Sequence, residues 1–426
     1  MDIKTIILAA GKGTRMKSET PKVLHEIFGK ALLGYVLDSV KSFSNEAFVI
    51  VGHKAEEVSA YVEKNYDFAR TVLQNPQLGT GHAVSFVCPF LENHNGLVLI
   101  TCGDTPLLQE NTLKQFIYEH IKSGADLTVM STIFDNPTGY GRIIRNSDGA
   151  VDKIVEEKDA NADQKTVKEV NAGVYCLNWA KIKPAFAELT SSNAQGEYYL
   201  TDIIEWANKK GLKVCASVLD DNREIYGINS RKNLAEATEI MNKRKLDELM
   251  DNGVTIIDPN STWISPDTEI GADTVIYPST YIEGSNNVIG KNCKIGPFAH
   301  LRGNVKIADF VKIGNFVEVK NSTIDAHTNA CHLSYIGDSD LGKNINIGAG
   351  TITANYNPLT KVKSRTILKD NVKIGSNSVL VAPVTIENGA NVGAGSVITK
   401  DVAPNALALT RSPLKVIENW VKNYSK

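Results

Sequence analysis

Near the start of the chain, Leu8-Ala9-Ala10-Gly11-Lys12-Gly13-Thr14-Arg15-Met16 places a glycine-rich turn directly after an aliphatic run. Backbone N–H groups in such a turn can cradle phosphate oxygens, and Lys12 and Arg15 set positive charge beside them. Pro21-Lys22-Val23-Leu24 follows shortly after, so Lys22 can bring a further cation to the same phosphates. The turn is neither of the two common nucleotide loops. Gly-x4-Gly-Lys-Ser/Thr is absent, and Met16 stands where a dinucleotide fingerprint needs its third glycine. Taken alone, a Gly-x-Gly of this kind is also an ordinary turn. Asp104 closes the Leu97–Thr101 run, where a carboxylate can ligate a hard cation or simply cap a turn. Far downstream, His332 offers an imidazole, the usual proton acceptor near neutral pH. It sits in Ala330-Cys331-His332-Leu333-Ser334-Tyr335-Ile336-Gly337-Asp338.

The elements that carry these groups differ between the two halves. In residues 1–228, short aliphatic runs at Ile3–Ala9, Ala47–Val51, Leu97–Thr101 and Leu127–Thr132 alternate with helical stretches. Near-continuous apolar strands between helices imply a sheet covered on both faces, an α/β doubly wound domain. Residues 229–252 read as a linker helix, with Leu234, Ala237, Ile240, Met241, Leu246 and Leu249 on its apolar side and a stop at Asn252-Gly253. From 253 to 426 the chain repeats every six residues. Ile264, Ile270, Ile276 and Ile282 keep that spacing, as do Ile295, Leu301, Ile307, Ile313 and Val319, and then Ile374, Leu380, Ile386, Val392 and Ile398. Neither helix nor strand periodicity gives this spacing; a parallel β-helix of hexapeptide repeats does. The three runs read as one repeat in a single phase. Gly271, Gly296, Gly314, Gly342, Gly348, Gly375 and Gly393 then fall at corners, where glycine accepts backbone angles that a Cβ opposes.

On this repeat Arg302 and Lys320 stand on successive coils, suited to a sugar phosphate or equally to ordinary outward charge. The period is disturbed around His332, and disturbed registers are where a scaffold re-aims side chains. It breaks again at 355–365, a basic loop thrown out of a coil. After Pro404, Ile417, Trp420, Val421 and Tyr424 keep helical spacing, which suggests a cap for the prism or a contact with a neighbouring subunit.

Composition sets bounds. The chain has 426 residues, 42% of them hydrophobic, with a formal net charge of -2, which gives no electrostatic reason to expect nucleic acid or a membrane surface as partner. No apolar run reaches the ~20 residues that span a bilayer. The six cysteines form no Cys-x-x-Cys and no dense framework, as expected of reduced thiols in a cytoplasmic protein.

The extended motifs carry a resemblance. Leu-x-Ala-Gly-x-Gly-Thr-Arg-Met with Pro-Lys-x-Leu resembles the signature of sugar-1-phosphate nucleotidylyltransferases. Gln74-Asn75-Pro76-Gln77-Leu78-Gly79-Thr80-Gly81-His82-Ala83, Gly103-Asp104-Thr105-Pro106-Leu107, Tyr140-Gly141-Arg142-Ile143, Val155-Glu156-Glu157-Lys158, Asn171-Ala172-Gly173 and Glu197–Asp202 agree with it. With the β-helix attached, the whole chain resembles the bacterial bifunctional family in which an N-acetylglucosamine-1-phosphate uridylyltransferase is fused to a glucosamine-1-phosphate N-acetyltransferase. The resemblance implies acetylation of glucosamine-1-phosphate by acetyl-CoA, then Mg2+-dependent uridylyl transfer from UTP with release of pyrophosphate. It implies that the β-helix is left-handed and builds a homotrimer.

The same resemblance assigns residues. Leu8, Ala9, Gly11, Lys22, Gln74, Gly79 and Thr80 bind UTP, with Arg15 and Lys22 also counted as catalytic. Gly141, Glu156, Asn171 and Asn229 hold N-acetylglucosamine-1-phosphate, and Asp104 with Asn229 holds the metal. His332 is the base of the acetyl transfer. Arg302, Lys320, Tyr335, Asn346 and Lys361 hold glucosamine-1-phosphate. Ala349, Tyr356, Ser376, Ala394 and Arg411 line the acetyl-CoA path, and Asn355 falls to one or the other of these two groups.

Two departures from the family stand out. The stretch from Val254 to Ile295 is shorter than in longer members by about one to two coils of ~18 residues, and Gly303 replaces a proline. A spacer shortened ahead of Arg302 leaves the acetyltransfer site intact. The alternative is a monofunctional nucleotidylyltransferase whose β-helix serves only oligomerisation.

Overall fold

A computed structural model describes residues 2–421. The chain divides into two compact units, Met1–Ile240 and Met241–Lys426. The division falls inside one long helix, Arg231–Asp251. That helix stops at the expected place: Gly253 takes φ 87° and its N–H donates to Met250 O at 3.0 Å.

The first unit is built on a nine-stranded sheet. Its main path runs Val214–Leu219, Leu127–Ile133, Glu169–Asn178, Leu97–Cys102, Ile3–Leu8, Glu46–Val51, Ala69–Leu73. All neighbours on this path are parallel except Glu169–Asn178, which is antiparallel to both of its neighbours. A hairpin of Arg142–Arg145 and Val151–Val155 joins through Val170↔Arg142. The period of two along a strand sorts its side chains onto opposite faces. Ile3 and Ile7 enter one core with Leu33, Val36 and Val40 of the Leu32–Lys41 helix. Ile6 enters the other, with Ile203, Ile204 and Ala207 of Asp202–Lys209. A sheet covered on both sides leaves only its edges and strand ends for chemistry. Leu8 and Cys102 are register partners, so the glycine turn and Asp104 leave the sheet at the same end.

The second unit is a left-handed parallel β-helix with three flat faces of nine, eight and seven strands. The first face starts at Thr255–Ile256, the second at Trp263–Ile264 and the third at Glu269–Ile270. The hexad aliphatics form one continuous core, and Leu246 and Leu249 of the Arg231–Asp251 helix join it. Asn242 ties that helix to the first coils: its Nδ2 donates to Thr262 O at 2.8 Å and its Oδ1 accepts from Ile264 N at 2.9 Å.

The period is less regular than a single phase. Ile282 is followed inward by Ile289, one residue late, whereas Val319 to Ile324 and Ile336 to Leu341 each come one residue early. Parallel pairing absorbs such slips at corners, because only the short flat segments need ladder bonds. The corner glycines also serve a purpose other than the expected one. Of the seven, only Gly296 has positive φ. A Cβ on Gly314 would lie 1.9 Å from Cys331 O, and one on Gly375 2.3 Å from Ala394 N. These glycines therefore admit the backbone of the next coil. The left-handed angles fall elsewhere, on residues such as Asn304, Asn321 and Asn377, as short polar side chains allow. Turned-in corner carbonyls are satisfied by buried hydroxyls: Thr274 donates to Gly290 O at 2.8 Å and Thr328 to Gly342 O at 2.7 Å.

Of the described tail, residues 411–417 are irregular and 418–420 form a turn. Ile417, Trp420 and Val421 stay 57%, 54% and 73% exposed. Tyr424 lies outside the described residues. Among the described residues, no helix is long and apolar enough to cross a membrane.

Candidate active sites

At the end of the first unit's sheet, the glycine turn lies against Lys22. A Cβ on Gly13 would stand 2.7 Å from Lys22 Cβ, so the bare glycine, at φ 60°, lets the lysine segment close in. Behind Lys22 two carbonyl-type oxygens converge. Its Nζ donates to Asp104 Oδ2 in a short contact and to Asn229 Oδ1 at 3.1 Å. The backbone fixes that convergence: Gly103 N donates to Leu8 O at 2.9 Å and Ile228 N to Asp104 O at 3.0 Å. Residues far apart in sequence thus aim one carboxylate and one amide oxygen at a single cationic point.

Two hollows meet at Asp104 and Cys102. One, about 460 Å³, is walled by Leu8, Ala9, Gly11, Lys22, Gln74 and Thr80 among others. Gln74 is buried and donates to Gly79 O at 2.9 Å. Gly79, at φ 113°, is held where a Cβ would lie 2.6 Å from Tyr198 O. Tyr198 N donates to Leu78 O and Gly81 N to Tyr198 O, both at 2.8 Å, so the Gln74–Ala83 loop is zipped to the segment before Asp202. The other hollow, about 430 Å³, is walled by Arg15, Tyr140, Asn171, Tyr226, Asn229 and Asn233 with Asp104. Asn171 N donates to Gly141 O at 2.9 Å, and a Cβ on Gly141 would come within 3.4 Å of both Glu156 carboxylate oxygens. Gly141, Glu156 and Asn171 are therefore neighbours, as expected. Arg15 and Lys12 stand exposed at the rim.

Electrostatics follow from this enclosure. Burial pushes the Glu156 carboxyl up, against a hydrogen bond from Thr201. Asp202 is pushed up to about 6 by burial and then by Glu205 and Asp159. Burial, with the charge of Asp104, pushes the Cys102 thiol up to about 12, which disfavours its thiolate near neutral pH. His25, three residues past Lys22, is buried; burial and Arg231 lower its pKa, and Arg231 Nη1 lies 3.2 Å from its Nδ1.

On the β-helix, His332 ends the strand Asn329–His332 with its side chain exposed. Ladder register places Asn315 one coil before it. The corresponding corner positions on later coils, each just past an inward aliphatic and a glycine, are Ala349, Ser376 and Ala394. Coils stack at ~4.8 Å, so these small side chains form a straight row running away from the imidazole. Arg411 closes its far end, with Nε donating to Ala394 O at 3.0 Å.

The second face carries the cations. Arg302 and Lys320 are register partners. Arg302 donates to Glu318 at 2.7 Å and lies 3.7 Å from Glu283, so its charge is already matched within the chain. Tyr335 follows on the next coil beside Glu318. Asn355 is buried and donates to Tyr335 Oη at 3.4 Å and, in a short contact, to Asp338. That places it as a support under Tyr335. Asn346 points outward on the first face, away from Arg302 and Lys320. Tyr356 is exposed and opens the 355–365 loop, bridged to Lys363, with Lys361 at its tip. One chain thus unites Arg302, Lys320 and Tyr335, and separately the His332 row, but not Asn346 with the cations.

Residues 4–246 match the nucleotidyl transferase family model, and 288–321 and 365–400 match that of the bacterial transferase hexapeptide (six repeats). Over its full length the chain is 45% identical to the bifunctional protein GlmU of Caldanaerobacter subterraneus subsp. tengcongensis, with 99% of that protein covered. It is 44% identical to GlmU of Clostridioides difficile and 43% to that of Bacillus velezensis, each over 99% of this chain and 98% of the relative. The chain belongs to the GlmU family. It is a bifunctional transferase of UDP-N-acetylglucosamine synthesis, a uridylyltransferase joined to an acetyltransferase, and the reading of the β-helix as a mere oligomerisation module is set aside.

Sequence reasoning named the segments of the GlmU-type site but not all of its walls. Tyr226 and Asn233 line the second hollow, Asn233 Nδ2 donating to Tyr226 Oη at 2.7 Å. The only signal in the sequence was their closeness to Gly227-Ile228-Asn229. Gln77, whose Nε2 donates to Ala10 O, pins the glycine turn and was legible only as part of a motif.

Proposed function

We propose that the two sites divide the synthesis as follows. In the first unit, UTP occupies the hollow beside the glycine turn. Gln74 and the Gly79–Thr80 backbone read the base, while Lys22 and Arg15 hold phosphates. N-acetylglucosamine-1-phosphate occupies the second hollow, on Asn171 in its wall and on Gly141 and Glu156 next to Asn171. A phosphate oxygen of the sugar attacks the α-phosphorus of UTP, the bond to the β-phosphate oxygen breaks, and pyrophosphate leaves. No protein nucleophile is needed; alignment and charge neutralisation carry the rate.

The observation that carries this reading is the meeting of Asp104 and Asn229 oxygens on one cation, the Lys22 ammonium, between the two hollows. That donor pair suits Mg2+, a hard cation that takes oxygen ligands and leaves most of its positions to water and substrate phosphates. Bound there, Mg2+ supplies charge neutralisation for the polyphosphate. Lys22 then serves the phosphates rather than the carboxylate.

In the second unit, His332 takes a proton from the ammonium group of glucosamine-1-phosphate. The freed amine attacks the thioester carbonyl carbon of acetyl-CoA, the C–S bond breaks, and the CoA thiolate leaves and takes up the proton that the new amide nitrogen gives off. Arg302, Lys320 and Tyr335 hold the sugar phosphate, and acetyl-CoA lies along Ala349, Ser376 and Ala394 toward Arg411. Asn346 and the cations sit on different faces of one prism, which supports a homotrimer whose neighbouring subunit completes the site. The alignment with the Caldanaerobacter relative spans 458 positions against 426 residues here (458 − 426 = 32). We place that difference in the coils before Arg302. Six free cysteines favour the cytoplasm.

A coupled assay with glucosamine-1-phosphate, acetyl-CoA, UTP and Mg2+ tests the division. We expect His332→Ala to lose acetylation alone and Asp104→Ala to lose uridylyl transfer alone. Wild-type protein that uridylylates N-acetylglucosamine-1-phosphate but never acetylates would overturn the residue assignments on the β-helix.

A further inference from the structure

Asn171 is a polar group of the second hollow whose orientation the chain itself dictates. Gly173 N donates to Asn171 Oδ1 at 2.9 Å, and Asn171 Nδ2 donates to Tyr175 Oη at 2.8 Å. A flipped carboxamide would set its NH2 against the Gly173 N–H, so the two bonds leave one arrangement.

The backbone is shaped for this. The ladder between Glu169–Asn178 and Leu127–Ile133 holds to Asn171↔Ser131 and resumes at Tyr175↔Val129. Between those pairs three residues, Ala172, Gly173 and Val174, thus oppose the single Met130, with Gly173 at φ 74° inside the bulge. Bulges re-aim side chains, and here Asn171 and Gly173 become cavity wall. Tyr175 lies underneath, 1% exposed, in a core of apolar side chains. A buried hydroxyl in such surroundings is costly unless partnered. Phenylalanine would fill the same space, so the oxygen is there for Asn171.

We propose that Tyr175 is a positioning residue for the sugar phosphate: its hydroxyl oxygen locks the Asn171 carboxamide so that the remaining Nδ2–H is presented to an oxygen of the sugar. The inference rests on the sugar-side reading of the second hollow. It concerns ground-state recognition on that side only, because neither residue lines the hollow beside the glycine turn.

The test is steady-state kinetics of the full-length enzyme with N-acetylglucosamine-1-phosphate, UTP and Mg2+, on wild type, Tyr175→Phe, Asn171→Ala and the double variant. Losing one hydrogen bond should raise the KM for N-acetylglucosamine-1-phosphate about five- to tenfold in Tyr175→Phe. The KM for UTP should stay within twofold. In the double variant, the Tyr175→Phe effect should vanish on top of Asn171→Ala, since the two act as one unit. KM does not depend on the folded fraction, so the ratio of the two KM values stays readable if the variant is less stable. Equal rises in both KM values, an unchanged sugar KM, or full additivity would overturn the role of Tyr175. Wild type that does not use N-acetylglucosamine-1-phosphate would instead sink the sugar-side reading, and this inference with it.

Discussion

Lys22 is the residue on which the first site turns. Its ammonium neutralises Asp104 and donates to Asn229 Oδ1 on one side and faces the glycine turn on the other. Lys22→Met removes that charge while keeping most of the stem packed against Gly13. We expect uridylyl transfer to fall on the order of 100-fold or more, the usual cost of deleting a charge-stabilising donor, with acetyl transfer unchanged in the same preparation. Asp202 gives a pH prediction. Its carboxyl is pushed up to about 6 in the folded chain by burial and neighbouring carboxylates, against an ordinary value of 3.8. A folded pKa raised in this way means that the proton stabilises the fold. That stabilisation is complete below the ordinary value and lost as pH rises through about 6. Asp202→Asn should therefore raise stability at pH 7.5 by about 1 kcal/mol, after discounting for the partial exposure of the group. The gain should shrink as pH falls from 6 toward 4. A thermal melt series across that range, showing the same gain at every pH, would contradict the assignment.

At the scale of elements, two glycines hold the sites through close approach. Gly79 adopts backbone angles that only glycine takes readily, and a Cβ there meets Tyr198 backbone atoms at 2.6 and 2.8 Å. Gly79→Ala should cost about 1–3 kcal/mol and raise the KM for UTP, because the Gln74–Ala83 loop must leave the Tyr198 segment. Gly314 is the counterpart on the β-helix. A methyl group there collides with Cys331 O, the residue beside His332. Gly314→Ala should push that coil outward at a cost of about 3 kcal/mol, abolishing acetylation and sparing uridylyl transfer. An acetylation rate like that of wild type would show that the corner can relax without moving the imidazole. The hexad pattern foretold this element well, since the inward aliphatics of its three regular runs were visible in the sequence. The one-residue slips at Ile289, Ile324 and Leu341 were not, because the corners tolerate them without any change in residue type.

At the scale of the whole molecule, each unit has its own hydrophobic core, and the proposed function gives each its own ligands. A ligand stabilises the fold that binds it by RT ln(1 + [L]/Kd). Scanning calorimetry should then show UTP with Mg2+ raising one unfolding transition and acetyl-CoA raising another, each by about 2.7 kcal/mol at a hundredfold excess over Kd. A single transition shifted equally by either ligand would mean that the units unfold as one.

The residues by themselves determined the two architectures; the segments around Gly11, Gly79, Asp104, Gly141 and Asn171, and the imidazole at 332, were singled out by resemblance to the family. Both were legible because aliphatic period and glycine-rich turns are local properties, set by backbone geometry within a few residues. Tertiary structure decided everything that depends on register between distant segments. It brought Asn229 to Asp104 through a backbone bond from Ile228, and set Tyr175 beneath Asn171 across a bulge. It turned Asn355 into a buried support, and left Asn346 on a different face from Arg302. Such pairings arise when a chain closes long loops onto one sheet or coil, and no spacing along the sequence encodes which oxygen will meet which nitrogen.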